Sequence, residues 1–594
     1  MQRFSRKKWL LSSVAAAVLM VSHAYADEPK AAKKPAEVPS SGEVLVAPKV
    51  KTGLAGSFLS SRFARKHQDI GEASKYIMEA LQHDPKNQDL IHEGIRLHVL
   101  AGNIQDAIVL SHDLDGLYER DPLIVIVRML EKVDGKDYKA AKAAMDLAPD
   151  GGLFGIIKPV MDAWLYIAEG QVKGEVNLKG AIEKSGFFAP FLTYHVALMN
   201  DVLGKQETAL KSYKKASADI AVTPYRVVEA VSNFYQRRGD FSKAQNVFDM
   251  YAKANPDSNL IPEPIEKSKN VTPLVGDVRQ GMAEMFFTTA SILFGEEASQ
   301  DTFVYLRAAL FLRPNLPPAQ LMLASLYEQS GDYQHAIEVY DGIERGNVFF
   351  RRGQIRKALN LEAMDKPKAA LKLLTQIADD YPQDESSLIT KGDILREQEN
   401  FEDAASAYSA AIERIGTLKN SDWPLLYARG ICYERAGEWE QAEIDLLHAL
   451  KLEPNQPDVL NYLAYSWLSM NKNITKARDY LETAVEMRPD DAHIIDSMGW
   501  AYYLSGDFNK AVEYLEKSAE IVPDDATIND HLGDAYWRVG RHTEAKYQWK
   551  RALNFKPEKE AIEQIKHKLK NGLTPFLPQQ QSSNRVKDRT LAAD

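Results

Sequence analysis

Cysteine is almost absent from this sequence of 594 residues, which contains a single one, Cys432. One cysteine cannot form a disulfide within the chain, so the fold must be stabilised by a packed core rather than by cross-links. A zinc site built from paired cysteines is excluded for the same reason. Cys432 lies two residues after Gly430 in a segment with helical periodicity, and we expect it to be a small buried side chain.

The sequence also lacks the short motifs that carry common chemistry. It has no phosphate-binding loop of the G-x-x-x-x-G-K-[ST] or G-x-G-x-x-G type, no H-E-x-x-H zinc motif and no G-x-S-x-G nucleophile elbow. Its 13 histidines are scattered. We expect His493, His531 and His542 to lie at a surface or line a groove rather than bind metal. The sequence therefore predicts a protein that is not an enzyme and holds no metal and no cofactor.

An excess of positive charge is missing as well. The chain has 83 Asp and Glu residues against 73 Lys and Arg residues, which gives a net charge of −10. An acidic chain is poorly suited to bind nucleic acid or anionic lipid non-specifically. No stretch after the N-terminal region approaches 18 uninterrupted apolar residues, so we expect no transmembrane segment in the mature protein.

The first 26 residues have the three parts of a cleaved secretory signal peptide. Basic residues between Arg3 and Lys8 precede an apolar run, and Ala24-Tyr25-Ala26 provides an A-x-A cleavage site. The apolar run is shorter than the roughly 20 residues of a membrane-spanning helix. We therefore expect residues 1–26 to be removed on export.

Prolines mark a regular period in the C-terminal third of the chain. Pro489, Pro523 and Pro557 are separated by 34 residues, and an earlier copy of the pattern ends at Pro454. In each copy a Gly or Ala precedes an aromatic residue by three positions, and a later Ala precedes a large apolar residue by four. The first pairs are Gly430 and Tyr433, Ala464 and Trp467, Gly499 and Tyr502, and Gly533 and Tyr536; the second pairs are Ala442 and Leu446, Ala477 and Leu481, Ala511 and Leu515, and Ala545 and Trp549.

This pattern resembles the tetratricopeptide repeat, a helix–turn–helix unit of 34 residues. The run Leu532-Gly533-Asp534-Ala535-Tyr536 matches the L-G-x-x-Y core of that family. Small residues let the two helices of a hairpin approach closely, and the aromatic side chains fill the space beside the crossing. One hairpin cannot bury its apolar face, so copies stack. The resemblance implies an all-α fold, a right-handed superhelical solenoid of helical hairpins in two blocks.

Weaker copies of the pattern extend this prediction over most of the chain, although residues 122–190 are less regular. A last helix at 558–571 has the polar back that closes a stack of repeats. The predicted domains are a signal peptide at 1–26, a flexible linker at 27–52, degenerate helical repeats at 53–256, a proline-rich connection at 257–275, a C-terminal solenoid with its capping helix at 276–571 and a disordered tail at 572–594.

Members of the family bind partners in a groove lined by the first helix of each unit. The resemblance assigns the following ten residues, here called the groove stripe, to that surface: Tyr427, Asn461, Tyr465, Asp496, Trp500, Tyr503, Asp530, Asp534, Trp537 and Arg538. Members that clamp a C-terminal carboxylate use Lys, Arg and Asn there, whereas this stripe carries Asp496 and Asp530. It suits an extended peptide with basic or amide groups, or a glycan that stacks on aromatic rings. The alternative is that its aromatic residues are structural and pack between neighbouring hairpins.

The chain as a whole resembles exported repeat proteins of Gram-negative, alphaproteobacterial-type bacteria, a group with no assigned activity. That resemblance implies a periplasmic location, with secretion less favoured. The leading hypothesis is a scaffold or adaptor that binds other envelope proteins or extended peptides, in envelope assembly or polysaccharide export. Two alternatives stay open, a holdase-type chaperone for exported chains and a glycan-binding regulator of cell-wall synthesis. We expect no nucleic-acid partner.

Overall fold

The computed structural model describes residues 53–149, 151, 153–171, 178, 180–183, 186–255, 265, 271–295, 300–557 and 559–575. The predicted signal peptide, the linker, most of the connection at 257–275 and most of the tail lie outside these residues and stay predictions. Within the described residues the regular elements are α-helices and short 3-10 turns. None of these described helices combines the length and the apolar content that crossing a membrane requires.

The described helices fall into two compact units, one up to Leu373 and one from Leu374. The helices of the first unit are α1 Leu54–Lys66, α2 Ile70–His83, α3 Gln88–Ala101, α4 Ile104–Ser111, α5 Pro122–Asp134, α6 Tyr138–Asp146, α7 Phe154–Ala168, α8 Ala189–Val202, α9 Gln206–Ala216, α10 Tyr225–Arg237, α11 Phe241–Ala254, α12 Val278–Leu293, α13 Gln300–Leu312, α14 Pro317–Gln329, α15 Tyr333–Asp341 and α16 Phe350–Ala363. The division falls within α17 Pro367–Asp380. The helices of the second unit are α18 Ser386–Glu397, α19 Phe401–Ile415, α20 Trp423–Arg435, α21 Trp439–Leu452, α22 Pro457–Ser469, α23 Ile474–Met487, α24 Ala492–Leu504, α25 Phe508–Ile521, α26 Ala526–Arg538, α27 His542–Asn554 and α28 Lys559–Asn571.

In the second unit, consecutive helices pair at the small residues that the repeat pattern singled out. A Cβ atom added to Gly499 would lie 2.7 Å from Leu515 Cγ, and one added to Gly533 would lie 2.5 Å from Trp549 Cδ1. Glycine is therefore what lets the first helix of these two hairpins approach the second this closely. The prediction of an all-α chain built from helical hairpins is confirmed.

The helix ends follow local sequence signals. Asp491 and Asp525 precede α24 and α26, and their side chains accept hydrogen bonds from backbone N–H groups in the first turn. The turns after these two helices contain Gly506 and Gly540 with φ angles of 83° and 82°, a conformation that favours glycine. α25 ends at Ile521, just before the proline that marks the period.

The first unit contains packing between helices that are distant in the chain. α12 packs against α7 and α8, and α13 packs against α3 and α5. A Cβ atom added to Gly281 of α12 would lie 2.5 Å from the ring of Trp164 in α7. Arg279 Nη2 donates a hydrogen bond of 2.7 Å to Asp134 Oδ1. Helices on both sides of 257–275 thus belong to one unit, and the division between the units falls later than the predicted connection.

A buried ion pair lies where these helices meet. Arg226 Nε and Nη2 donate hydrogen bonds of 2.8 and 2.7 Å to the two carboxylate oxygens of Glu284, and Tyr194 Oη donates one of 3.1 Å. Glu284 is fully buried. Burial alone would raise the pKa of Glu284, but the Arg226 guanidinium outweighs burial and holds that pKa below its ordinary value. The pair therefore joins α10 and α12 as charged groups.

His195 is buried beside this pair as a neutral side chain. Trp164 Nε1 donates to His195 Nδ1 at 3.4 Å, and His195 Nε2 lies 3.1 Å from Thr288 Oγ1. With Nδ1 accepting, the proton of the neutral ring is on Nε2. Burial lowers the pKa of His195 to about 4, so protonation of this ring opposes folding of the first unit.

Candidate functional site

The groove stripe lies on the first helices of four hairpins in the second unit, α20, α22, α24 and α26, and its residues differ in accessibility. Three of them are buried: Asp496, Tyr503 and Asp534 are 5%, 6% and 4% exposed. The other seven are partly exposed. The stripe is therefore a partly covered surface, and the contacts of its members show what covers each part.

Asp496 is engaged by a buried histidine inside the unit. Its carboxylate oxygens lie 3.1 and 2.9 Å from His531 Nδ1. The His531 ring stacks on Trp500 with a centroid distance of 4.1 Å, and Trp500 stacks on Tyr503 at 4.6 Å with an interplanar angle of 6°. Burial alone would lower the pKa of His531, but Asp496 outweighs burial and raises that pKa. The position that a basic group of a partner was expected to take beside Asp496 is thus held by His531, which is buried rather than at a surface.

Asp530 and Asp534 are bridged by a lysine of the last helix. Lys568 Nζ donates hydrogen bonds of 2.8 Å to Asp530 Oδ2 and 2.9 Å to Asp534 Oδ2. Trp549 Nε1 donates one of 2.8 Å to Asp534 Oδ1. Burial raises the pKa of Asp534, and the cation of Lys568 opposes that rise. The acidic end of the stripe is therefore already occupied by an ammonium group.

Trp537 and Arg538 are covered by the residues that follow α28. Gly572 has a φ angle of +71°, and a Cβ atom added to it would lie 2.0 Å from Trp537 Cζ2. Arg538 Nη1 donates a hydrogen bond of 2.6 Å to the backbone oxygen of Thr574. Arg538 Nε also donates to Tyr503 Oη at 3.1 Å. The first residues of the predicted tail thus lie directly on the groove stripe.

The remaining members form a partly exposed surface across α20, α22 and α24. Tyr427 makes an edge-to-face contact with Tyr462 at 5.8 Å, and burial raises the pKa of Tyr427 to about 12. Tyr462 Oη donates to Glu434 Oε2 at 2.9 Å. Among the described residues, the buried Oδ1 of Asn461 has no hydrogen-bond partner. We call Tyr427, Asn461, Tyr465 and Trp500 the central stripe.

The described residues show no arrangement for metal binding or for thiol chemistry. No group of three or more His, Cys, Asp or Glu side chains among them could hold a metal ion. Cys432 is buried, and burial raises its pKa to about 11. A thiol with such a pKa is protonated at neutral pH and is a poor nucleophile. This chemistry agrees with the reading of Cys432 as a core side chain.

Several segments of the chain match family models of the tetratricopeptide repeat. One model matches residues 355–418, 389–457 and 427–492, and two others match residues 492–525 and 321–343. Together these segments cover less than half of the chain. They include the three copies that end at Pro454, Pro489 and Pro523 but not the copy that ends at Pro557, and they cover most of the hairpin of α14 and α15 in the first unit.

Known proteins with this repeat are similar to parts of the chain. A TPR repeat-containing protein of Pseudomonas aeruginosa, PA4667, is 27% identical over 189 residues, which are 32% of this chain and 31% of that protein. The match thus spans less than a third of that relative. The solved structure of YrrB, a TPR protein with an unusual peptide-binding site, is 19% identical, with 32% of this chain and 97% of that chain covered and a TM-score of 0.26. The Cut9–Hcn1 hetero-tetramer of the APC/C is 15% identical, with 87% and 95% covered and a TM-score of 0.35. The chain is therefore similar to tetratricopeptide repeat proteins, and its family matches fall at 321–343 and 355–525.

Proposed function

We propose that this protein is an exported interaction scaffold that binds an extended peptide segment of another envelope protein across the central stripe. The observation that carries the proposal is how the last hairpin is covered. There the first-helix surface already holds a stretch of backbone, through Arg538 on the Thr574 carbonyl and Trp537 against Gly572. The central stripe continues the same surface onto α24, α22 and α20.

The chemistry of the central stripe suits a peptide. Partly exposed Tyr465 offers an aromatic ring to apolar or cationic side chains, whereas the ring of Trp500 already stacks on His531 and Tyr503. Leaving a buried hydrogen-bond acceptor such as Asn461 Oδ1 without a donor costs about 1–3 kcal/mol of stability. A backbone N–H of a bound peptide would remove that cost once the Asn461 side chain rotated its oxygen towards the peptide. The carboxylate of Glu434 beside Tyr462 adds negative charge for a basic residue.

Matches to a repeat typical of protein–protein interaction support the scaffold role, and the signal-like residues 1–26 support export to the periplasm. A place in envelope assembly or polysaccharide export rests on the resemblance to exported repeat proteins. Sites on stacked repeats bind through many modest contacts, so we expect a dissociation constant near 1 µM, or about −8 kcal/mol.

The test is cross-linking and pull-down from envelopes that express the full chain or the double variant Asn461→Ala, Tyr465→Ala. We expect the wild-type chain to recover a small reproducible set of partners and the double variant to lose it. Tyr547→Ala is the matched control, because Tyr547 is an exposed aromatic residue on a second helix, α27. Recovery of the same partners in equal yield by the double variant would falsify the proposal.

A further inference from the structure

We propose that residues 568–575, here called the C-terminal plug, are an intramolecular ligand of the groove stripe that a partner peptide must displace. The groups that the plug presents to the stripe indicate the chemistry that a partner peptide would need. It presents a lysine ammonium to Asp530 and Asp534, a backbone carbonyl to Arg538 and a residue without a side chain to Trp537. This inference rests on the proposed function and extends it to the last hairpin and to its regulation.

The plug makes polar contacts in addition to the apolar contacts that close a stack of repeats. The capping contact of α28 is apolar: Ile565 is buried in the last core cluster, and Leu569 packs against that cluster. After α28 ends at Asn571, the positive φ of Gly572 turns the chain onto Trp537 of the first helix α26. Leu573 also packs against that cluster, whereas Lys568 and Thr574 add polar contacts to the groove stripe that burial of an apolar face does not require.

The acidic pair requires a cation. The side chains of Asp530 and Asp534 are 18% and 6% exposed, and that of Lys568 is 16% exposed. Two carboxylates this close repel each other strongly when water is largely excluded. An occupant that replaced the plug would have to bring its own ammonium or guanidinium group. This excludes an acidic peptide and a neutral glycan at this end of the stripe.

The plug also borders the central stripe. Arg538, which holds the Thr574 carbonyl, donates to Tyr503 Oη at 3.1 Å. Tyr503 in turn stacks on Trp500. A peptide that followed the stripe past Trp500 would therefore reach the position of Thr574. Because the plug is tethered, its effective concentration is on the order of millimolar, and it competes with any partner of micromolar affinity.

The inference is tested with the full chain and a double variant, Lys568→Gln with Gly572→Val. The first change removes the cation and the second places a branched side chain against Trp537. The probe is a fluorescent peptide of residues 566–575 with blocked termini, followed by anisotropy. We expect the double variant to bind this probe at least about tenfold more tightly than the wild-type chain, because the competing tether is released. The same probe with glutamine in place of Lys568 should lose most of that gain.

A second readout follows the plug itself. In chain labelled with 5-fluorotryptophan, the Trp537 signal, assigned with Trp537→Phe, should shift in the double variant and return towards its wild-type position when the probe is added. Lys570→Gln is the matched control, since Lys570 is an exposed lysine on the same helix, and it should leave binding and spectrum unchanged. Should the double variant not fold, truncation after Asn571 in a chain that also carries Lys568→Gln removes Gly572, Thr574 and the cation but keeps α28.

The outcomes separate the two proposals. Equal weak binding of the probe to the wild-type chain, the double variant and the truncated chain would overturn the plug, whatever the central stripe binds. Suppose that the double variant binds the probe tightly, while the Asn461→Ala, Tyr465→Ala chain recovers envelope partners as well as the wild-type chain does. This result would overturn the proposed function but would support the plug. Stronger recovery of envelope partners by the double variant than by the wild-type chain supports both.

Discussion

The two units use the same hairpin in different ways. In the first unit one continuous core cluster includes residues as far apart in the chain as Ala64 and Phe349. In the second unit the core breaks into separate clusters, one around Leu463 and one around Leu532. Packing between distant helices, such as α12 on α7, accounts for the continuity of the first core.

This difference has a consequence for stability. A stack in which each repeat contacts only its neighbours loses structure locally, whereas a core closed by long-range contacts loses it as a whole. We therefore expect damage in the first unit to spread through it and damage in the second unit to stay near its origin. Two tryptophans report on this separately when labelled with 5-fluorotryptophan: Trp164 in the first unit and Trp500 in the second.

We expect the largest effect on the free energy of unfolding from removing the buried ion pair in the first unit. Glu284→Gln removes the two-oxygen partner of the buried Arg226 guanidinium, which keeps only the Glu229 carboxylate at 2.7 Å, and this should cost about 3–5 kcal/mol. We expect the urea midpoint of the Trp164 signal to fall sharply and that of Trp500 to stay unchanged. Glu207→Gln is the control, because Glu207 pairs with Arg238 while 83% exposed. An equal shift of both tryptophan signals would contradict the separation of the two units.

The pH dependence of the two units should have opposite signs. His195 has a folded pKa of about 4 against about 6.5 unfolded, so its contribution is complete above the unfolded pKa. That contribution is lost as the pH falls towards 4, by about 3 kcal/mol in total. His531 has a raised pKa, so its contribution is complete below the unfolded pKa and is lost as the pH rises through the folded pKa.

These signs can be measured between pH 5 and pH 8. We expect the urea midpoint of Trp164 to increase with pH and that of Trp500 to decrease. His195→Gln should flatten the first profile only, and His531→Gln the second only. Parallel profiles for the two signals in the wild-type chain would show that other groups dominate and that the two histidines do not set the difference.

Much of the second unit could be predicted from the sequence, because its contacts repeat. The same spacing between a small residue, such as Gly499 or Gly533, and a large apolar residue recurs in several copies and predicts that the two helices of a hairpin touch there. The structure contains this contact. The contact of Gly281 with Trp164 in the first unit is made once, so no period reveals it. For the same reason the sequence could place helices on both sides of 257–275 but not their packing into one unit.

The candidate site shows the same limit. The stripe residues lie on the first helices where the repeat places them, since that assignment needs only the position within each copy. The partners His531 and Lys568 escaped prediction. His531 follows Asp496 by one repeat and one residue, a spacing that places the two side chains next to each other on adjacent first helices. This spacing could have predicted the contact. Lys568 belongs to the cap, which no neighbouring copy resembles.

A smaller effect is expected from overpacking one hairpin of the second unit. Gly533→Ala places a methyl group 2.5 Å from Trp549 Cδ1, which should cost about 1–3 kcal/mol. Trp549→Phe in the same chain makes room, so the double variant should lose less than the sum of the two single variants. We expect the Trp500 midpoint to fall and the Trp164 midpoint to stay. Strict additivity would show that the clash is not what destabilises the hairpin.

The smallest effect comes from an ion pair with almost the same geometry as Arg226 and Glu284 but without burial. Arg488 Nη1 and Nη2 donate hydrogen bonds of 2.7 and 2.9 Å to the two carboxylate oxygens of Asp458, with side chains 43% and 39% exposed. Water solvates both charges after the pair is broken, so Asp458→Asn should cost less than about 1 kcal/mol, and added salt should reduce even that. The comparison with Glu284→Gln tests burial at matched pair geometry, because each pair makes two hydrogen bonds between one guanidinium and one carboxylate; the buried pair has Tyr194 and Glu229 as further partners. If Asp458→Asn and Glu284→Gln lowered the free energy of unfolding equally, the lost hydrogen bonds would determine the destabilisation of the first unit. Burial of an unbalanced charge would then not determine it.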